Sequence, residues 1–180
     1  MSSEGELTAE IGERLRKDLN PRGYDVLHDH GPAAAHVGRI VSWFGHGSKP
    51  THETQLSMLD IAIVEHSTGR VRVLAELEES KHMPKTLLGN VLGTLMGEHI
   101  TFRDKREAKH ELNVGSWTTL IVMGKGSHKD RDTYLQQRVE ECRTALTTAN
   151  AKLGVIIVRS FGEVADLERD FRAHIERALA

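Results

Sequence analysis

Three carboxylates near the middle of the chain stand where acids are uncommon. Asp60 lies inside Leu59-Asp60-Ile61-Ala62-Ile63-Val64. Glu76 and Glu78 lie in Val71-Arg72-Val73-Leu74-Ala75-Glu76-Leu77-Glu78, after a turn at Ser67-Thr68-Gly69. An acid among apolar neighbours is strongly destabilised by desolvation unless a cation or hydrogen-bond donors compensate it. Side chains two apart on a strand share a face, so Glu76 and Glu78 sit about 6 to 7 Å apart along it and can address one ion. If the two segments pair as a hairpin, Asp60 points at the same spot from the neighbouring strand. Three carboxylates make a hard, oxygen-only, negative site, which suits Mg²⁺ or Mn²⁺ completed by water and a substrate phosphate. Acids that simply end a strand in solvent would account for Glu78 and Glu79, but they account poorly for Asp60.

The elements that must hold these residues can be read from periodicity. Ser3-Glu4-Gly5-Glu6 fits a capping box, and Leu7, Ile11, Leu15 and Leu19 recur every four residues, so a helix is expected from about Glu4 to Leu19. Asn20-Pro21-Arg22-Gly23 stops it. Tyr24 to Asp29 and Gly38 to Phe44 read as short strands, with a polar loop from Gly45 to Thr54. Leu56 to Glu65 reads as one central strand and Arg70 to Glu79 as its hairpin partner. Pro84 opens a helix whose apolar face runs from Leu87 to Ile100, and Phe102 to Asn113 is charged surface structure. A strand from Trp117 to Met123, a helix opened by Ser127-His128-Lys129-Asp130 and running to Leu146, a strand from Gly154 to Val158 and a helix from Gly162 to Leu179 complete the chain. The expected architecture is a single α/β domain over residues 1–180, a mixed sheet flanked by helices on both faces.

A helix, a strand, an Asp on the next strand, then Glu-x-Glu one hairpin later and a helix resembles the PD-(D/E)XK nuclease superfamily in its restriction-endonuclease-like αβββαβ form. The resemblance covers Ile11 to Ile100, and the element order extends it to Met123. It implies that Asp60 matches the motif's Asp and Glu76 its (D/E), both metal ligands for Mg²⁺ or Mn²⁺. Glu78 falls where most members carry Lys, and Leu59 replaces the motif's Pro. Glu13 best matches the Glu that many members place in the first helix, with Glu10 as its competitor. The resemblance further implies metal-assisted hydrolysis of phosphodiesters in nucleic acid, DNA first, with Glu78 binding or orienting the attacking water. Lys81 and Lys85 would contact phosphate. A homodimer is implied for cutting both strands together. The alternative is a fold of this kind that no longer cuts and serves as a nucleic-acid-binding or assembly module.

Other signals point less far. The single cysteine, Cys142, excludes an internal disulfide and any multi-cysteine zinc site. A net charge of −2 gives no global pull towards nucleic acid. No run approaches the roughly eighteen apolar residues of a membrane span, and Met1 to Leu7 lacks a secretory leader pattern, so a cytoplasmic location is expected. Gly89, Gly93 and Gly97 recur along one helix face, which argues for close backbone approach to the sheet, another helix or a dimer partner. His28 and His30 would share a strand face, but their spacing matches no zinc motif. Met123-Gly124-Lys125-Gly126-Ser127 lacks P-loop spacing. The cluster Arg103, Lys105, Arg106 and Lys109 is diluted by acids and reads as a solvated face.

Overall fold

Ile11, Leu15 and Leu19, four residues apart, are buried along one face of helix α1 (Glu6–Leu19). This computed structural model describes residues 5–30, 39–44, 51, 53–81, 84–104, 106, 108–126 and 129–180. The capping residues expected at Ser3 and at Ser127-His128 lie outside them. After α1 come β1 (Tyr24–His28), β2 (Ile40–Trp43), β3 (Gln55–Leu59), β4 (Ile61–Glu65) and β5 (Val71–Lys81). Then follow α2 (Pro84–Leu95), β6 (His99–Arg103), β7 (Lys109–Glu111), β8 (Thr119–Lys125), α3 (Lys129–Thr144), β9 (Ile156–Phe161) and α4 (Val164–Leu179).

Five of the strands form one mixed sheet in the order β1-β4-β5-β8-β9. The β1–β4 and β4–β5 pairs are antiparallel, with β2 and β3 inserted between β1 and β4, whereas β5–β8 and β8–β9 are parallel and joined through α2 and α3. Period-two alternation sorts the strand side chains between two cores. Leu74, Leu120, Val122 and Val158 pack with Leu87, Val91 and Leu95 of α2 and with Leu135 and Val139 of α3. Val73, Ala75, Leu77, Ile121 and Met123 pack with Ile11 and Leu15 of α1 and with Phe171 and Ile175 of α4. Burying this much apolar surface on both faces is what makes the fold an α/β layer structure. Among the described residues, no helix is long and apolar enough to cross a membrane.

The segment Leu56 to Glu65 is two strands, not the one expected. The chain leaves one sheet for another at Asp60, so β3 and β4 belong to different sheets. The second sheet runs β3-β2-β6-β7, and it takes in the end of the expected long helix. Helix α2 stops at Leu95 because side chains from elsewhere take its last carbonyls. Ser42 Oγ and Asn150 Nδ2 each donate to the Thr94 carbonyl at 3.1 Å, and Thr148 donates to the Leu95 carbonyl. Thr94, Ser42 and Asn150 are fully buried, so this polar knot docks α2 onto the second sheet. Ile100 then enters β6 instead of continuing the helix. Lys109 is not simply solvated: its Nζ lies 3.9 Å from the centre of the Trp43 ring.

The outer edge of β9 is closed by side chains of α3. Gln136 Nε2 donates to the Ile156 carbonyl at 2.6 Å, and Gln136 Oε1 accepts the Val158 amide at 3.0 Å. Asp132 accepts the Ser160 amide and hydroxyl at 2.9 and 2.7 Å. These bonds imitate a further strand and blunt the edge against pairing with another chain. Gln136→Ala is therefore expected to cost about 1–2 kcal/mol in urea unfolding and to increase aggregation on heating, read by light scattering.

Candidate metal centre

Asp60 sits at the bend between β3 and β4, with 9% of its surface exposed. The bend is held by ladder bonds on both sides: the Asp60 amide donates to the Ala75 carbonyl at 2.9 Å, and the Asp29 amide to the Asp60 carbonyl at 3.3 Å. Both carboxylate oxygens have donors. Oδ2 accepts the Leu77 amide at 2.7 Å, and Oδ1 accepts Nε2–H of His30 at 2.9 Å. The burial of this acid is thus offset by a backbone amide from β5 and an imidazole from the end of β1.

Glu76 follows on β5, on the sheet face shared with Leu74 and α2. Its Oε1 accepts a long 3.4 Å bond from Asn90 Nδ2 of α2, while its Oε2 is buried without a hydrogen-bond partner. Burial pushes this carboxyl up to about 9, and the charges of Asp60, Glu78 and Asp29 push it the same way. Glu78, two residues on, is half-buried and lines the same cleft of about 380 Å³, together with Thr8, His30, Met58, Asp60, Glu76 and Glu79. Glu79 points to the opposite face and acts on the helix above. Helix α1 begins at Gly5, which offers no capping side chain, and Glu79 Oε1 accepts both the amide and the hydroxyl of Thr8 at 2.8 and 2.7 Å. A strand carboxylate does the work of an N-cap and ties α1 to β5.

Asp29 and His30, placed just beyond the last residue of β1, complete the cluster. Antiparallel pairing sets His28 opposite Ile61, which carries the next two residues alongside Asp60. His30 Nε2 lies 3.2 Å from Asp29 Oδ1 as well, but off the N–H direction, so Asp29 Oδ1 is buried with no hydrogen bond. Burial raises the Asp29 carboxyl to about 6, with His30 opposing and Asp60 assisting. Asp60 raises His30 to about 9 by holding its N–H, against the opposing effect of burial. Burial and the neighbouring acids thus favour the neutral form of Glu76, while the bond to Asp60 favours the charged form of His30.

Asp60, Glu76 and Glu78 thus line one cleft. Among the described residues, however, the three whose ligand atoms lie within 4.8 Å of one another are Asp29, His30 and Asp60. Glu13 lies elsewhere: its Oε2 accepts from Arg16 at 2.8 Å, and its Oε1 meets Nε2 of buried His28 at 3.2 Å. The Arg16 guanidinium holds the Glu13 carboxyl below the usual range. Glu10 pairs with Arg14 on the exposed side of α1. Lys85 is exposed in the first turn of α2, and the side chain of Lys81 lies outside the described residues. His28 and His30 do not act as a pair. His28 turns to Glu13 and to the His30 carbonyl, 3.0 Å from its Nδ1, while His30 turns to Asp60. The residues missed by sequence reasoning are Asp29 and Asn90, while His30 is weighed only as a pair with His28. The adjacent acid and imidazole after a short strand were a visible signal, but the register that brings them to Asp60 was not.

The fold and the cleft define an α/β protein with a cluster of buried and half-buried carboxylates at the bend between its two sheets. Comparison of the chain with protein-family models, with curated proteins and with solved structures finds no match.

Proposed function

We propose that this chain is a Mg²⁺- or Mn²⁺-dependent nuclease, hydrolysing phosphodiester bonds of nucleic acid on the PD-(D/E)XK plan. The observation that carries the reading is Glu76: a buried carboxylate oxygen with no partner, in a cleft with Asp60 and Glu78. Evolved cores rarely keep such an atom, and its burial beside other acids is rational when a cation completes it. The order α1, β1, β4, β5, α2, β8 in the main sheet supports the same reading, because it is αβββαβ.

On this reading Asp60 and Glu76 hold the cation, which polarises the phosphate and lowers the pKa of a water when bound. The chain's own contribution is positional. The Leu77 amide fixes the Asp60 carboxylate, Asn90 orients Glu76 from α2, and Glu79 clamps β5 to α1 so that Glu76 and Glu78 keep their direction. Glu78, which also lines the cleft, accepts a proton from, or orients, the attacking water. Glu13, bonded to Arg16 and His28, supports β1 and does not line the cleft.

The test is incubation of plasmid, linear and single-stranded DNA with the protein and Mg²⁺ or Mn²⁺. Cutting is expected only with a cation, and Asp60→Ala is expected to lower it at least about a hundredfold. Equal cutting by the two proteins, or none by either, would sink the enzyme reading. A binding or assembly module on the same fold is the second reading. One observation favours it: an acid, Glu78, lines the cleft where most members of that superfamily carry Lys. DNA bound in a gel-shift assay without metal-dependent cutting would select it.

A further inference from the structure

The carboxylates of the cleft make an oxygen-only site on sequence grounds, yet among the described residues the set of three ligand atoms gathered within single-ion reach contains a nitrogen. One ligand atom from each of Asp29, His30 and Asp60 lies within 4.8 Å of the others, with His30 Nε2 3.2 Å from Asp29 Oδ1 and 2.9 Å from Asp60 Oδ1, contributed by the segment after β1 and the bend before β4. A cation bound at about 2.2 Å spans up to ~4.4 Å between opposite ligands, so the three atoms need move only a few tenths of an ångström to share one ion. Two further facts say that the set is incomplete as it stands. Asp29 Oδ1 is buried and accepts no hydrogen bond, although His30 is within 3.2 Å of it. Glu76 Oε2, in the cleft that His30 and Asp60 also line, is buried without a partner too. A histidine serving only as a counter-ion to Asp60 would leave both oxygens unexplained.

We infer that Asp29, His30 and Asp60 form a mixed nitrogen-and-oxygen site that takes a first-row transition cation, Mn²⁺ in preference to Mg²⁺. This rests on the reading that the cleft holds a divalent cation, and it names which one. Mg²⁺ demands oxygen ligands in near-ideal octahedral geometry and gives up water reluctantly, whereas imidazole suits the transition ions. The surroundings fit a ligand role for His30. Its ring packs against Gly5, where a Cβ would stand 2.6 Å from Nδ1, so the ring is wedged with Nε2 facing the two carboxylates. The His28 side chain, held by Glu13, meets the His30 carbonyl and fixes the backbone from the other side.

Titration calorimetry of the full chain with MnCl₂ and with MgCl₂ tests the assignment, alongside His30→Gln, Asp29→Asn and Glu76→Gln. Wild type is expected to bind Mn²⁺ at least about tenfold more tightly than Mg²⁺. His30→Gln is expected to lose about 10- to 100-fold in Mn²⁺ affinity while Mg²⁺ affinity stays within about twofold. Nitrogen-14 coupling in the electron-spin-echo spectrum of Mn²⁺ bound to wild type should report the imidazole directly, without reliance on any variant. Equal affinity for the two cations, no nitrogen coupling, or Mn²⁺ binding unchanged in His30→Gln would overturn the inference. If wild type and His30→Gln bound both cations alike while Glu76→Gln bound neither, the cleft reading would stand and the His30 site would fall. Absence of binding by either cation to wild type would remove both.

Discussion

Glu76→Gln is expected to stabilise the protein at alkaline pH while removing its response to divalent cations. Burial beside Asp60, Glu78 and Asp29 pushes the Glu76 carboxyl up to about 9, so the folded state keeps a proton that the unfolded chain releases near pH 4.5. The folded state then binds more protons than the unfolded one between those values, and stability falls as pH rises through that window. Glutamine carries no such penalty. The variant should match wild type near pH 4 and exceed it increasingly towards pH 8, by on the order of 3 kcal/mol, or roughly 6–12 °C in Tm. Denaturation in chelator at pH 4, 6 and 8 measures it. His30 and Asp29 act in the same direction. Stability from the raised His30 is complete below its ordinary pKa of 6.5 and lost as pH rises through about 9, and the raised Asp29 disfavours folding as pH climbs from 3.8 to about 6. Adding Mn²⁺ should restore the wild type at pH 8 and leave Glu76→Gln unmoved. If Glu76 were an ordinary ionised partner of Asn90, glutamine would bring no gain at any pH.

Gly93→Ala and Gly89→Ala, four residues apart on one helix, are expected to have opposite signs. A Cβ at Gly93 would stand 2.8 Å from the Leu56 carbonyl oxygen and 3.3 Å from Ser57 Cβ, both on β3. Backbone cannot swing away as a side-chain tip can, so β3 must shift, and β3 runs directly into Asp60. A net loss of about 2 kcal/mol follows after the helix-propensity gain of alanine is set against the overpacking. Cation affinity should fall with it. At Gly89 a Cβ meets nothing within 4 Å among the described residues, and alanine should stabilise by up to about 1 kcal/mol. Urea unfolding of the two variants, with Mn²⁺ titration of each, checks both expectations. Equal effects of the two would mean that the close packing of α2 on β3 is wrong.

The contrast within this glycine row shows how far local pattern reaches. Spacing marked all three glycines as one feature. In the structure Gly93 meets β3, Gly97 would overlap Ser42 on β2, and Gly89 meets nothing among the described residues. Which of three equivalent positions is crowded depends on β2 and β3, strands far from the helix in sequence. That second sheet was itself unreadable, because its strands are three to five residues long and two of them, β3 and β6, were absorbed into longer runs of apolar pattern.

Local pattern did determine the layers of the molecule. The four-residue rhythm of α1 and α4, the two-residue rhythm of β4, β5 and β8, and the shared face of Glu76 and Glu78 are all consequences of helix and strand geometry acting over a few residues. Tertiary structure alone decided the centre. It bent the chain at Asp60, set Asp29 and His30 beside it through the β1–β4 register, turned Glu13 away to Arg16 and His28, and enclosed Glu76 Oε2 without a partner. Pairing register between segments some thirty residues apart is settled by which hydrophobic faces can be buried together, and that is a property of the whole core rather than of any stretch of sequence.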